Sequence, residues 1–143
     1  MKILLSPSKT MNAVMAPTGT SAAPLLELAG SLADRVRSEI RDWANWYDCS
    51  SKVADVAAQQ WSAWTPHSPG TKAAWTFTGE AFGRLRPNLW TNPGVAEQRL
   101  RIMSGLYGIL RPSDGVLPYR VIRVSDIRLG RDLNGIAIAE IPL

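Results

Sequence analysis

The chain has 143 residues, of which 45% are hydrophobic and 20% are charged, and its formal net charge is +4. These values are typical of one globular domain with a core of its own. The single cysteine, Cys49, excludes an intramolecular disulfide and fits a reducing compartment. The apolar runs are too short for a signal peptide or a membrane span. We therefore predict a cytoplasmic protein without membrane contact.

The first half of the chain predicts one strand followed by two helices. Residues 2–6, with the apolar run from Ile3 to Leu5, predict a short buried strand that stops at Pro7. Residues 12–23 are small, polar and interrupted by proline, which indicates an extended surface loop. From Leu25 to Ile40, with Pro24 at the start, apolar residues recur at helical spacing. Ser50 and Ser51 fit the N-cap of a second helix that reaches Trp64.

The second half contains more connectors. Residues 65–70 and 85–94 are rich in proline, glycine and asparagine and predict loops, whereas residues 73–78 predict either a strand or a buried segment. A helical pattern returns at Val95, and residues 121–128 alternate as in a strand. We predict a helix-rich mixed α/β (or α+β) fold in one domain, residues 1–143.

The six tryptophans include two pairs with a spacing of three, Trp43 with Trp46 and Trp61 with Trp64. Aromatic residues at this spacing on a helix are usually core anchors. Platforms on which unpaired bases stack are the less common use of such pairs.

The positive charge is concentrated in one segment. Residues 1–98 carry nine basic and eight acidic side chains, residues 99–131 carry seven arginines and two acidic side chains, and residues 132–143 carry two acidic side chains only. Arginine binds phosphate groups through paired hydrogen bonds, which favours an anionic partner. A solvated basic surface is the alternative that charge alone leaves open.

Motifs for catalysis and for metal binding are scarce. His67 is the only histidine and lies in a predicted loop, and one His with one Cys does not make a zinc site. Neither a nucleotide-binding glycine loop nor a nucleophile elbow is present. We predict no catalytic residue, no metal and no cofactor, and an enzyme is the less favoured class.

A first candidate site is the turn after the predicted N-terminal strand. Loops at strand ends commonly contact ligands in α/β folds. Lys9 is suited to a phosphate, and three hydroxyl groups are available as hydrogen-bond donors, those of Ser6, Ser8 and Thr10. This turn would serve an enzyme that acts on a phosphorylated ligand. A capped turn with an exposed lysine is the structural alternative.

A second candidate is the stretch around Gly105 and Gly108, which two structures would explain. A continuous helix through Leu110 would place both glycines on one face for close packing, although each costs about 0.8–1 kcal/mol relative to alanine. Alternatively, a tight turn between two short helices, a helix-hairpin-helix, would expose backbone amides to a DNA phosphate. Arg99, Arg101 and Arg111 flank the turn and would supply positive charge.

Five stretches carry a resemblance to a known family: residues 3–10 (ILLSPSKT), 51–54 (SKVA) with Trp64 downstream, 77–79 (FTG), 98–112 (QRLRIMSGLYGILRP) and 118–120 (PYR). In these stretches the chain resembles the YaaA family of bacterial peroxide stress proteins. The resemblance implies a cytosolic α/β protein with a basic cleft and a helix-hairpin-helix element. It also implies duplex or distorted DNA as the ligand, with low sequence specificity, and a role in limiting peroxide damage to DNA.

The resemblance covers residues 1–120 and predicts eight DNA-binding residues: Lys9, Arg99, Arg101, Gly105, Tyr107, Gly108, Arg111 and Arg120. The tail, residues 121–143, departs from the family pattern, and family members continue for roughly another hundred residues, beyond the needs of one small domain. A chain that lacks the C-terminal part of the family fold is therefore expected, and a non-functional fragment is a further alternative. The oligomeric state is left open.

Overall fold

The computed structural model of the protein describes residues 1–8 and 10–120. Six helices are present in these residues: α1 (Leu26–Glu39), α2 (Trp43–Tyr47), α3 (Ser51–Ala63), α4 (Ala73–Thr76), α5 (Glu80–Leu85) and α6 (Pro93–Arg99). The six strands are β1 (Ile3–Leu5), β2 (Ser21–Ala22), β3 (Thr71–Lys72), β4 (Leu100–Ser104), β5 (Gly108–Leu110) and β6 (Asp114–Val116). A short 3₁₀ helix spans Pro87–Leu89. The mixed α/β class predicted from the sequence is confirmed.

The strands form two small sheets. In the first, β1 runs parallel to β4, and β4 runs antiparallel to β5. In the second, β6 lies between β2, which is parallel to it, and β3, which is antiparallel. Both sheets thus join the beginning of the chain to residues 100–116. This topology brings the predicted N-terminal ligand turn close to the arginine-rich segment.

The core lies between the two long helices and the segment that follows α6. Its centre is a cluster of four buried aromatic residues, Trp61, Trp64, Tyr107 and Tyr119. Ring centroids are 5.6 Å apart for Trp61 and Tyr119, 6.0 Å for Trp64 and Tyr107, and 5.9 Å for the two tyrosines. The prediction that Trp61 and Trp64 anchor the core is confirmed, and Trp43 and Trp46 pack against it partly buried.

The structure corrects the prediction for residues 96–110, which form neither a continuous helix nor a helix-hairpin-helix. Helix α6 ends at Arg99, and β4 and β5 form a β-hairpin whose turn is residues 105–107. Gly108 has a φ of +74°, which a right-handed helix does not accommodate. Strand pairing satisfies the backbone on both sides of β4, whereas a helix would include two unfavourable glycines.

Several other predicted elements differ in detail. The first strand is confirmed but it is an edge strand, with Ile3 47% and Leu4 52% exposed, and is not buried. Residues 73–78 are buried as predicted, but their regular part is the short helix α4 and not a strand. The predicted loop 12–23 ends in β2. Helices α1 and α3 are confirmed, but the Ser50 side chain makes no capping hydrogen bond. The predicted strand 121–128 lies outside the described residues.

None of the helices in the described residues combines the length and the apolar character that crossing a bilayer requires.

Candidate functional site

The N-terminal turn packs against the segment before α5. The Ser8 hydroxyl is shared between the carbonyl oxygens of Thr78 and Thr10, the latter at 3.0 Å. The Thr10 and Thr78 hydroxyls lie 2.7 Å apart, and the Thr78 amide donates to the Thr10 carbonyl at 3.1 Å. Ser6 is exposed, and Lys9 lies outside the described residues. The hydroxyls of Ser8 and Thr10 therefore fix the shape of the turn.

A cleft of about 310 Å³ opens between this turn, one face of α3 and the end of the described chain. Four polar side chains line it: Thr10, Lys52, Gln60 and Arg120. Its apolar wall includes Met11 and Tyr119. Of the described residues that line the cleft, two are cationic and none carries a carboxylate. We call this site the basic cleft, and its charge suits an anionic ligand.

Helix α3 presents two different faces, and the spacing of its residues explains why. Lys52, Val56 and Gln60 are four residues apart and line the cleft. Ala54 and Trp61 are buried in the core, and Ala57, which is also buried, borders the cleft. The core contact therefore orients the face that carries Lys52 and Gln60 toward the cleft. Sequence reasoning did not single out Lys52 or Gln60, although their helical spacing was a usable signal.

Arg120 is placed by its neighbour Tyr119, which is anchored in the β4–β5 turn. The Tyr119 hydroxyl lies 2.6 Å from the Ser104 hydroxyl and accepts from the Leu106 amide at 3.3 Å. Burial raises the pKa of Tyr119, so the hydroxyl stays neutral. The glycine-containing turn thus supports the cleft from the core side by holding Tyr119. It contributes no residue to the described cleft lining.

Of the predicted DNA-binding residues in the described chain, only Arg120 lines the basic cleft. Arg99 is exposed at the end of α6 and borders a different, mostly apolar groove beside β1. Arg111 is exposed, and its amide donates to the Asp114 carboxylate at 2.7 Å. Gly105 is exposed in the hairpin turn, and Gly108 begins β5.

The sequence predicts Arg101 on a basic surface, but the structure does not place it there. It is buried in β4, and its Nη1 donates to the carbonyl oxygens of Glu97 at 2.9 Å and Leu100 at 2.7 Å. These are carbonyl groups at the end of α6, which lack partners inside the helix. Arg101 therefore caps α6.

Tyr107, also predicted to contact DNA, is a core residue that is 2% exposed. Its hydroxyl accepts from the Trp64 indole at 2.7 Å and from the Leu117 amide at 2.9 Å. Burial raises the pKa of Tyr107 to about 12. The hairpin thus folds Tyr107 into the core, and Tyr107 does not line the basic cleft.

The described residues also include the single histidine and the single cysteine of the chain. No group of three or more His, Cys, Asp or Glu side chains is placed there to hold a metal ion. His67 is exposed in the predicted loop, and its amide donates to the Thr65 hydroxyl at 3.2 Å. Cys49 is a half-buried free thiol.

The fold and the cleft define a mixed α/β protein whose described residues form a cleft lined by two cationic side chains. The profile of the family described as "Peroxide stress protein YaaA" matches residues 1–134. The chain therefore belongs to this family of peroxide stress proteins. The match extends beyond residue 120, where the resemblance seen in the sequence stops.

Proposed function

We propose that this protein is a cytoplasmic DNA-binding protein of the peroxide stress response and that its basic cleft binds the phosphate backbone. The observation that carries the proposal is the convergence of Lys52 and Arg120 on one cleft whose described lining has no carboxylate. Two cations with no carboxylate among the described residues of the wall attract an anionic strand. Family membership supplies the stress response, and the single cysteine fits the reducing cytoplasm.

The chemistry of the cleft favours contacts with phosphates over contacts with bases. An ammonium, a guanidinium and a hydroxyl group recognise phosphate oxygens in any sequence. Arg99 and Arg111, both exposed, add positive charge outside the cleft. We therefore propose weak sequence preference and a strong dependence of affinity on salt. The helix-hairpin-helix has no part in the proposal, because residues 100–110 form a β-hairpin.

Fluorescence anisotropy with a labelled duplex at two salt concentrations tests this proposal. Replacing Lys52 and Arg120 together by alanine should weaken binding and make the negative slope of log K against log salt shallower by about 1.8, since each lost phosphate contact contributes about 0.9. Arg35→Ala is the control, because Arg35 pairs with Glu39 on α1 and does not line the cleft. A double variant that binds like this control would contradict the proposal.

A second candidate is an enzyme, or a binding site, for a phosphorylated small molecule in the same cleft. The volume of about 310 Å³ favours it, since ligand pockets of this kind measure about 300–1,000 Å³. Thr10, from the predicted ligand turn, lines the cleft. A nucleotide that raises the melting temperature of the wild type but not of Thr10→Val, with no duplex binding, would favour this candidate over DNA.

A further inference from the structure

The guanidinium group of Arg120 lies against an aromatic ring that is not part of the cleft wall. Its Cζ atom is 5.1 Å from the centroid of the Tyr47 ring, within the range of a cation–π contact. The Tyr47 hydroxyl donates to the Arg120 carbonyl oxygen at 3.1 Å. One tyrosine therefore contacts both the backbone and the charged end of Arg120.

Tyr47 is itself held by its surroundings. The Trp61 indole donates to the Tyr47 hydroxyl at 3.0 Å, which leaves the hydroxyl proton free for the Arg120 carbonyl. The Trp43 ring stacks on the Tyr47 ring with centroids 6.1 Å apart and planes inclined by 18°. Helix α2 starts with the Asp42 side chain accepting from the Asn45 amide at 3.0 Å. The ring is thus fixed by the core and by its own short helix.

We propose that Tyr47 is a positioning residue of the basic cleft, which holds the Arg120 guanidinium group ready for a phosphate. The inference rests on the proposed function, since it assigns Arg120 a phosphate. A long arginine side chain loses rotamer freedom when it binds, and a side chain already held in place loses less. In the described part of the chain there are three ion pairs, and Arg120 takes part in none of them.

The first test measures the side chain of Arg120 without DNA. NMR relaxation of the Arg120 Nε–H group, assigned with Arg120→Lys, should show an ordered side chain with a ring-current shift in the wild type. Both signatures should be lost in Tyr47→Leu and kept in Tyr47→Phe, which retains the ring. If Tyr47→Leu does not fold, the order and the ring-current shift of the Arg120 group in the wild type and in Tyr47→Phe test the inference. An Arg120 group as mobile as that of exposed Arg99 overturns the inference.

The second test is a double-mutant cycle on duplex binding. Tyr47→Leu should weaken binding by about three- to tenfold, and it should have no further effect in the Arg120→Ala background. A purely structural role of Tyr47 would weaken both backgrounds equally, and that result, or unchanged binding by Tyr47→Leu, overturns the inference. If Arg120→Ala itself binds DNA like the wild type, the proposed function fails at this residue, and the NMR test alone decides whether Tyr47 orders Arg120.

Discussion

The buried hydroxyl groups of two tyrosines link separate segments of this protein by hydrogen bonds. Tyr107 accepts from the Trp64 indole and the Leu117 amide, and Tyr119 binds the turn between β4 and β5. These contacts tie the hairpin to the end of α3 and to the segment that leads to Arg120. A tyrosine in such a place supplies both apolar area and an acceptor for buried donors.

Replacing Tyr107 by phenylalanine should reveal this role. The Trp64 indole N–H, which is buried, would lose its acceptor, and an unsatisfied buried donor costs about 1–3 kcal/mol. We expect the free energy of unfolding, measured in urea, to fall by about 1–3 kcal/mol. The slope of this free energy against urea concentration should not change. Val14→Ala, at an 84% exposed position, should change it by less than about 0.5 kcal/mol. Equal stability of the two variants would show that the hydrogen bond is unimportant.

At the level of elements, the β4–β5 hairpin explains why Gly108 interrupts a periodic stretch. Ser104 pairs with Gly108 across a three-residue turn, a length common in β-hairpins. Gly108 has a φ of +74°, and a Cβ atom there would lie 2.8 Å from a methyl group of Leu25. The glycine therefore serves both the turn and the close contact with the start of α1.

Two glycine-to-alanine variants separate these requirements from the general cost of glycine. Gly108→Ala should destabilise the protein by about 1–2 kcal/mol, because the left-handed backbone and the Leu25 contact both oppose a side chain. Gly83→Ala, inside α5 with nothing within 4 Å of the added atom, should stabilise it by about 0.4–1 kcal/mol. Thermal unfolding of both variants measures the difference, and a stabilised Gly108→Ala would contradict the turn geometry.

For the whole molecule, the basic cleft is assembled from segments that are distant in the chain. Thr10 follows β1, Lys52 begins α3, and Arg120 follows the second sheet. The aromatic core connects them, since Trp61 contacts Tyr119 on one side and donates to Tyr47 on the other. Changes in the core should therefore reach the cleft through Tyr47 and Tyr119.

The buried Tyr107 and Tyr119 and the half-buried Tyr47 predict how stability depends on pH. Burial raises the pKa of Tyr47 and Tyr107 to about 12 and raises that of Tyr119, whereas an unfolded tyrosine titrates near pH 10. The folded state keeps protons that the unfolded state loses, so their stabilising contribution is complete below about pH 10 and declines as the pH rises toward 12.

Urea unfolding at several pH values between 8 and 12 measures this decline. The free energy of unfolding should fall more gently in Tyr107→Phe than in the wild type, because one of the three raised pKa values is removed. Parallel curves for the two proteins would mean that ionisation of Tyr107 is not linked to unfolding.

The sequence by itself determined the mixed α/β class, the two long helices, the core tryptophans Trp61 and Trp64, and the family. Helical periodicity over a dozen residues is a local signal that survives folding, and an ordered run of motif residues needs no coordinates. It also marked Arg120 and the N-terminal turn, although it did not show that Thr10 and Arg120 meet in one cleft.

Only the tertiary structure decided the path of residues 100–110 and the environment of each arginine. The sequence left a continuous helix and a helix-hairpin-helix open, and pairing of β4 with the distant β1 selected a strand instead. In the folded chain Arg101 and Tyr107 are buried, Arg99 and Arg111 are exposed, and Lys52 and Arg120 line one cleft. Contacts between residues far apart in the chain decide burial, and a linear pattern does not contain them.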